Sequence, residues 1–251
     1  MEGKIAVVTG AGRGIGRDTA VVLAKRGVRV MAVSRTEAEL VSLREEIDCD
    51  YVVESVSTPE GCARIVDETQ RRVGAIDILV NNAGLGSYRE RPIAEMTSEL
   101  WHETLSTNLD GPFELTRRAV GPMMQRGWGR VIMVSSTAGV SGGASMPAYC
   151  ASKHGLVGLM RAVAQDVARF GVTCNAVLPG WVRTFITEKR ADAAVDAGVS
   201  REQFWEERAR EYPAGRIVEA REVAEAIVFL AEDRASGING EIITVSLGGA
   251  W

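Results

Sequence analysis

The sequence predicts an α/β protein folded as one domain over residues 1–251, a doubly wound parallel sheet with helices on both faces. Three observations carry this. Short apolar, β-branched runs alternate with segments of helical period, the pattern of strands joined by crossover helices. Runs in the middle of the chain, Ile78-Leu79-Val80 and Val131-Ile132-Met133-Val134, show no polar alternation, as strands buried on both sides require. The first run leads directly into a glycine-rich turn that opens an amphipathic stretch.

Taken in order, Ile5–Val8 is the first strand. Thr9-Gly10-Ala11-Gly12-Arg13-Gly14-Ile15-Gly16 then combines a turn with a helix N-terminus, where backbone N–H groups and the helix dipole favour a pyrophosphate. Gly10 takes the tight turn, Gly14 removes a Cβ from the path of the phosphates, and Gly16 lets helix and strand pack closely. Further strands are expected at Arg29–Val33, Tyr51–Val53, Ile76–Asn81, Arg130–Ser135, Thr173–Leu178 and Glu241–Val245. Right-handed crossovers place all strand C-termini, and the loops that follow them, on one rim. That rim is the expected ligand site. The rhythm breaks over residues 184–216, a polar, Ala-rich stretch carrying Phe185, Phe204, Trp205 and Tyr212. It reads as two surface helices packed by those aromatics, as a substrate lid, or as both.

With a formal net charge of -4 and no long Lys/Arg block, the chain lacks the electrostatic footprint of a nucleic-acid binder. No 20-residue apolar span suggests a membrane segment. The first strand starts too early for a signal sequence, and Glu2 excludes N-myristoylation, so a cytoplasmic protein is expected. Cys49, Cys62, Cys150 and Cys174 form no C-x-x-C pair and read as reduced thiols. Only His102 and His154 are present, and no metal is assigned.

The second strand ends at Val33-Ser34-Arg35-Thr36, without the carboxylate that would engage a ribose 2′-hydroxyl. Arg35 and Ser34 suit a 2′-phosphate, and Arg13 can approach it from the other side. NADP(H) is therefore the expected cofactor, against the plainer reading of both arginines as solvated helix-edge charges. Asn81-Asn82-Ala83-Gly84 ends the fourth strand as cofactor-side scaffolding, or as ordinary turn chemistry.

Downstream, Tyr149 and Lys153 stand at i and i+4 on an expected helix, on one face and one turn apart. A phenol of pKa near ~10 is a poor acid–base group at neutral pH, and a neighbouring ammonium should lower it. Tyr149 then delivers the proton that reduction of a carbonyl requires, and Ser136 positions the carbonyl oxygen. Ser135 alternates to the other side of its strand. Tyr-x-x-x-Lys alone is common by chance; its order after the glycine turn is not.

With these residues in place the chain resembles the short-chain dehydrogenase/reductase family in its NADP-preferring form. The resemblance runs through Thr9–Gly16, Asn81–Gly84, Asn108, Ser136, Tyr149-Cys150-Ala151-Ser152-Lys153 and Pro179-Gly180-Trp181-Val182-Arg183-Thr184. It implies a Rossmann-like fold and the catalytic set Asn108, Ser136, Tyr149 and Lys153. Asn108 would hold a helix irregularity and a water that links Lys153 to solvent. Lys153 would bind the nicotinamide ribose, and Pro179, Gly180, Val182 and Thr184 would border the nicotinamide. The same resemblance implies a homotetramer. Two departures stand out: Ser55 replaces the usual aspartate near the adenine, and Ser246-Leu247-Gly248-Gly249 replaces the usual Asp-Gly-Gly.

Among relatives, 3-oxoacyl thioester reductases are the broadest similarity, with Arg126, Arg130 and Arg169 as candidates for a basic patch facing an acyl carrier protein. Phe170 departs from the basic residue often found there. Val140, Met146, Trp181 and Phe185 suggest apolar pocket walls, with Ser141 and Ser145 as polar additions. A catabolic dehydrogenase of a sugar, hydroxy acid, steroid or xenobiotic carbonyl is the alternative substrate reading. A catalytically idle, NADP-binding regulatory protein is the alternative of another class.

Overall fold

The computed structural model describes residues 1–249. Seven parallel strands run β1 (Ile5–Thr9), β2 (Arg29–Ser34), β3 (Asp50–Val53), β4 (Ile78–Asn81), β5 (Gly129–Val134), β6 (Val172–Pro179) and β7 (Ile242–Val245). Their order across the sheet is β3-β2-β1-β4-β5-β6-β7, so the winding reverses between β1 and β4. The helices are α1 (Gly14–Lys25), α2 (Glu37–Ile47), α3 (Pro59–Arg72), α4 (Ser98–Leu105), α5 (Gly111–Arg126), α6 (Pro147–Val167), α7 (Phe185–Asp196), α8 (Arg201–Arg210) and α9 (Ala220–Ala231).

The period-two alternation of the strands divides the core into two layers. From β1, Ala6 and Val8 pack with α1, α2 and α9, whereas Ile5 and Val7 face the layer of α3, α5 and α6. Strands lined on both faces read as continuous apolar runs for this reason. Each expected strand is present to within two residues. Ile76 and Asp77 fall outside β4 because Asp77 works at the strand edge: its carboxylate accepts the Ile5 N–H at 3.1 Å.

Leu156 and Met160, apolar positions of α6, are fully buried in this molecule's own core. Three of the four cysteines are buried, and burial pushes the thiols of Cys49 to about 11 and Cys62 to about 12, with Cys174 also raised. They stay protonated packing residues. Among the described residues no helix is long and apolar enough to cross a membrane.

Candidate active site

At the C-terminal rim of the sheet, one cleft is lined from the β1–α1 turn across to the β6–α7 loop. The turn has the backbone that its glycines anticipate: Gly10 lies at φ +66° and Gly14 at φ +56°, both in the left-handed region. A Cβ on Gly16 would collide with the Gly10 carbonyl, so this glycine closes helix onto strand, and it lies behind the cleft wall. Gly10, Arg13, Gly14, Ile15, Ser34, Arg35, Ser55, Asn82, Ala83, Gly84, Pro179, Gly180, Val182 and Thr184 all line the cleft.

The Asn81–Gly84 segment ties strands together. Asn82 Nδ2 donates to the Thr9 carbonyl at 2.8 Å, and Thr9 Oγ1 accepts the N–H groups of Asn82 and Ala83 at 3.0 Å each. This fixes β4 to β1 at the point where the winding reverses.

At the inner end, Ser136 follows β5 and hydrogen-bonds the Tyr149 hydroxyl. Lys153 is almost fully buried, and its Nζ donates to the Val134 carbonyl at 2.9 Å. Ser135 Oγ is turned away to the Lys153 carbonyl at 3.0 Å, which separates its role from that of Ser136. Asn108 sits in a π-helical turn, Ser106–Asp110, between α4 and α5. Its Oδ1 accepts the Leu85 N–H at 2.7 Å and its Nδ2 donates to the Leu85 carbonyl at 3.0 Å and to Ser152 Oγ at 3.1 Å. The irregular turn thus clamps the loop after β4 against α6.

Electrostatics correct one expectation. Burial holds the Tyr149 phenol above its ordinary range; the Ser136 hydrogen bond and the Arg190 guanidinium pull against that rise. The Lys153 ammonium, 5.8 Å from the Tyr149 ring centre, is itself pushed down to about 8 by burial. Desolvation sets the direction for both groups.

The outer end holds a second correction. Ser34 and Arg35 are there, and Arg35 is exposed with no ion pair among the described residues. Yet a carboxylate does reach the corner: Glu39, on the first turn of α2, lines the cleft and pairs with Arg13 Nη1 at 3.2 Å. The Arg13 guanidinium also lies 3.6 Å from the Phe185 ring centre, so Arg13 is not a free cation. Ser55 Oγ is engaged with Ser57 at 2.9 Å, and the neighbouring Glu54, also lining the cleft, pairs with Arg64.

A third correction concerns the suggested carrier-protein patch. Arg126 lies at the end of α5 beside Asp77, and Arg130 is buried at the start of β5 with its guanidinium 4.5 Å from the Trp128 ring centre. Arg169 follows α6, just before β6 begins. All three occupy the N-terminal edge of the sheet, the rim opposite the cleft.

Residues 184–216 contain α7 and α8, packed through Trp181, Phe204 and Trp205 in edge-on contacts of 5.9 and 5.2 Å. The Tyr212 hydroxyl accepts the Trp181 N–H. Arg190 of α7 donates to Ser87 Oγ at 2.7 Å and lies 5.6 Å from the Trp181 ring centre. Glu90, whose carboxylate accepts the Tyr149 N–H at 2.8 Å, Arg190 and Glu39 had no spacing signal linking them to the site. Only Glu39 had a local cue, as an acid on the first turn of the helix after β2. Among the described residues no group of three or more His, Cys, Asp or Glu is placed to hold a metal.

Known proteins place this architecture. Residues 10–249 match a family model described as enoyl-(acyl carrier protein) reductase. The 3-oxoacyl-(acyl-carrier-protein) reductase FabG of Escherichia coli (strain K12) is 35% identical over 250 residues, covering 99% of this chain and 98% of the relative. The protein of the same name from Thermotoga maritima is 33% identical over 253 residues, with the same coverage. Among solved structures, a variant of actinorhodin polyketide ketoreductase with NADPH superposes with a TM-score of 0.91 at 35% identity, covering 98% of each chain. Levodione reductase superposes at 0.92 and 31% identity, over 99% of this chain and 98% of that one. Full-length matches in both sequence and structure, joined to a glycine turn and a Ser136–Tyr149–Lys153 cluster on one cleft, mean that the chain belongs to the short-chain dehydrogenase/reductase family.

Proposed function

We propose that this protein is an NADPH-dependent oxidoreductase that reduces a ketone or aldehyde to an alcohol, reversibly. The carrying observation is the convergence of Ser136, Tyr149 and Lys153 at the inner end of a cleft whose outer end is a glycine turn. The residues present fit the cofactor: left-handed glycines open the turn, and Arg35 is an exposed cation where a 2′-phosphate would lie. When bound, NADPH supplies the hydride. Tyr149 gives its hydroxyl proton to the carbonyl oxygen, and Ser136 holds that oxygen by a hydrogen bond. Lys153 would hold the nicotinamide ribose and supply a positive charge there, and Asn108 orders the loop and helix around Lys153. Pro179, Gly180, Val182 and Thr184, which line the cleft, would border the nicotinamide, and residues 184–216 would serve as the lid.

A 3-oxoacyl thioester is the first substrate class to test, given the FabG relatives. One observation favours the second reading, a catabolic ketone or hydroxy-compound dehydrogenase: Arg126, Arg130 and Arg169 all lie away from the cleft mouth, which leaves a carrier protein without the basic patch assigned to it. A homotetramer in a reducing, cytoplasmic setting fits the family and the unpaired cysteines; light scattering giving a monomer mass would remove the tetramer.

The test is NADPH oxidation against acetoacetyl thioesters, diketones, cyclic ketones, keto sugars and steroid ketones, beside Tyr149→Phe. Turnover should fall by about 10² to 10⁴ in the variant. Tight NADPH binding with no Tyr149-dependent turnover on any of them would favour the idle-binder alternative.

A further inference from the structure

Helix α6 carries Tyr149 and Lys153, yet its N-cap residue, Met146, offers no side-chain cap. The first turn of a helix leaves backbone N–H groups without partners. Here Pro147 has no N–H, and the Cys150 N–H is met by the Met146 carbonyl at 2.9 Å. The donors of Ala148 and Tyr149 remain. Glu90 meets them: the Tyr149 N–H donates to Glu90 Oε1 at 2.8 Å, and the Ala148 N–H faces the same carboxylate. Glu90 is 5% exposed, and its Oε2 is buried without a hydrogen-bond partner among the described residues.

Glu90 stands 59 residues upstream of Tyr149, on the loop after β4. That loop is held at three points, each on a functional element. Asn108 clamps Leu85, Arg190 of α7 bonds Ser87, and Glu90 grips the start of α6. We propose that Glu90 is a positioning residue for Tyr149: a carboxylate supplied from the loop after β4 caps the catalytic helix and fixes the Tyr149 hydroxyl opposite Ser136. The proposal rests on the functional reading above and adds to it a residue outside the Asn108, Ser136, Tyr149 and Lys153 set. A local Ser or Asp cap would have satisfied the same N–H groups. The long-range cap additionally makes the setting of Tyr149 depend on the loop that borders the cleft.

The charge of Glu90 also acts on Tyr149. The groups facing the phenol are Lys153 and Cys150 from α6, Ser136 after β5, Arg190 from α7 and Glu90 from the loop. Glu90 raises the phenol's pKa and Arg190 lowers it. Above its pKa Tyr149 has no proton to give, and Lys153 loses its own at about 8, so the high-pH limb of carbonyl reduction reports the two groups together.

The experiment compares Glu90→Ala and Glu90→Gln with the unmodified protein, on a carbonyl substrate found by the panel, with Tyr149→Phe as control. Glu90→Ala should lower kcat by about 10-fold or more while the Kd for NADPH stays within about two-fold. Glu90→Gln keeps an acceptor oxygen and should restore most of kcat. Because it removes the negative charge, it should also move the high-pH limb to lower pH, whereas Arg190→Gln should move it to higher pH. Unchanged kcat and an unchanged limb in both Glu90 variants would overturn the proposal. So would a loss in Glu90→Ala matched by equal losses in NADPH affinity and thermal stability, which is the signature of a general helix cap. If Tyr149→Phe is as active as the unmodified protein, the functional reading fails, and this proposal with it; if only the Glu90 variants are silent, the functional reading stands alone.

Discussion

At the inner end of the cleft, Lys153, Ser135 and Asn108 are buried and each is fixed by a main-chain partner, the Val134 carbonyl, the Lys153 carbonyl and both polar groups of Leu85. At the outer end, Arg13 and Arg35 are exposed, and Arg13 is held by side chains alone, Glu39 and Phe185. Buried polar groups tolerate little rearrangement, since losing a partner costs the full desolvation penalty. Exposed ion pairs hold weakly and exchange partners readily. The inner end is therefore a preorganised reaction site, and the outer end an adjustable one whose charges can regroup around a cofactor phosphate.

The largest effect that tests this contrast belongs to the inner end. Lys153→Met should reduce turnover by about 10² or more, measured with NADPH saturating. It should also change the pH dependence of folding. The folded Lys153 binds its proton less tightly than the unfolded chain does, about 8 against an ordinary 10.5, so in the cofactor-free protein this group adds stability as the pH rises between these values. Chemical denaturation across that range should show the gain in the unmodified protein and lose it in Lys153→Met. A rise of equal size in the variant would mean that Lys153 is not the buried cation responsible.

Arg35→Ala comes next and acts at the outer end. Loss of charge-assisted hydrogen bonds worth about 1.5–3 kcal/mol should raise the Kd for NADPH on the order of 10- to 100-fold and leave that for NADH unchanged. Equal affinities for the two cofactors, insensitive to this substitution, would sink the NADP assignment.

Glu39→Gln should give the smallest shift, and in the opposite direction. Removing a partly exposed carboxylate that competes for Arg13 should tighten NADPH by about two- to five-fold, in line with the ~0.2–1 kcal/mol typical of such pairs, while kcat stays the same. A loss of NADPH affinity would instead make Glu39 a supporter of the site, and the outer end would be no more adjustable than the inner.

The readability of the site follows the same division. Gly10, Gly14 and Gly16 were legible because a turn against a strand has one steric solution, and Tyr149 and Lys153 because helical period places i and i+4 together. Glu39 escaped notice because α2 had to fold back before its first turn faced the glycine turn. Glu90 escaped because nothing local ties it to a helix that begins 57 positions later at Pro147. Arg126, Arg130 and Arg169 looked like one basic patch near the pocket until the strand direction put them on the opposite rim.

By itself the sequence determined the doubly wound sheet, the strands and the cofactor turn, because each depends on short-range sterics and on the period of apolar residues. Only the tertiary structure decided that Tyr149 sits raised by burial rather than lowered by Lys153, that Glu39 enters the phosphate corner, and that Glu90 caps α6. Desolvation and long-range hydrogen bonds depend on what surrounds a group in space, and the order of residues along the chain does not carry that information.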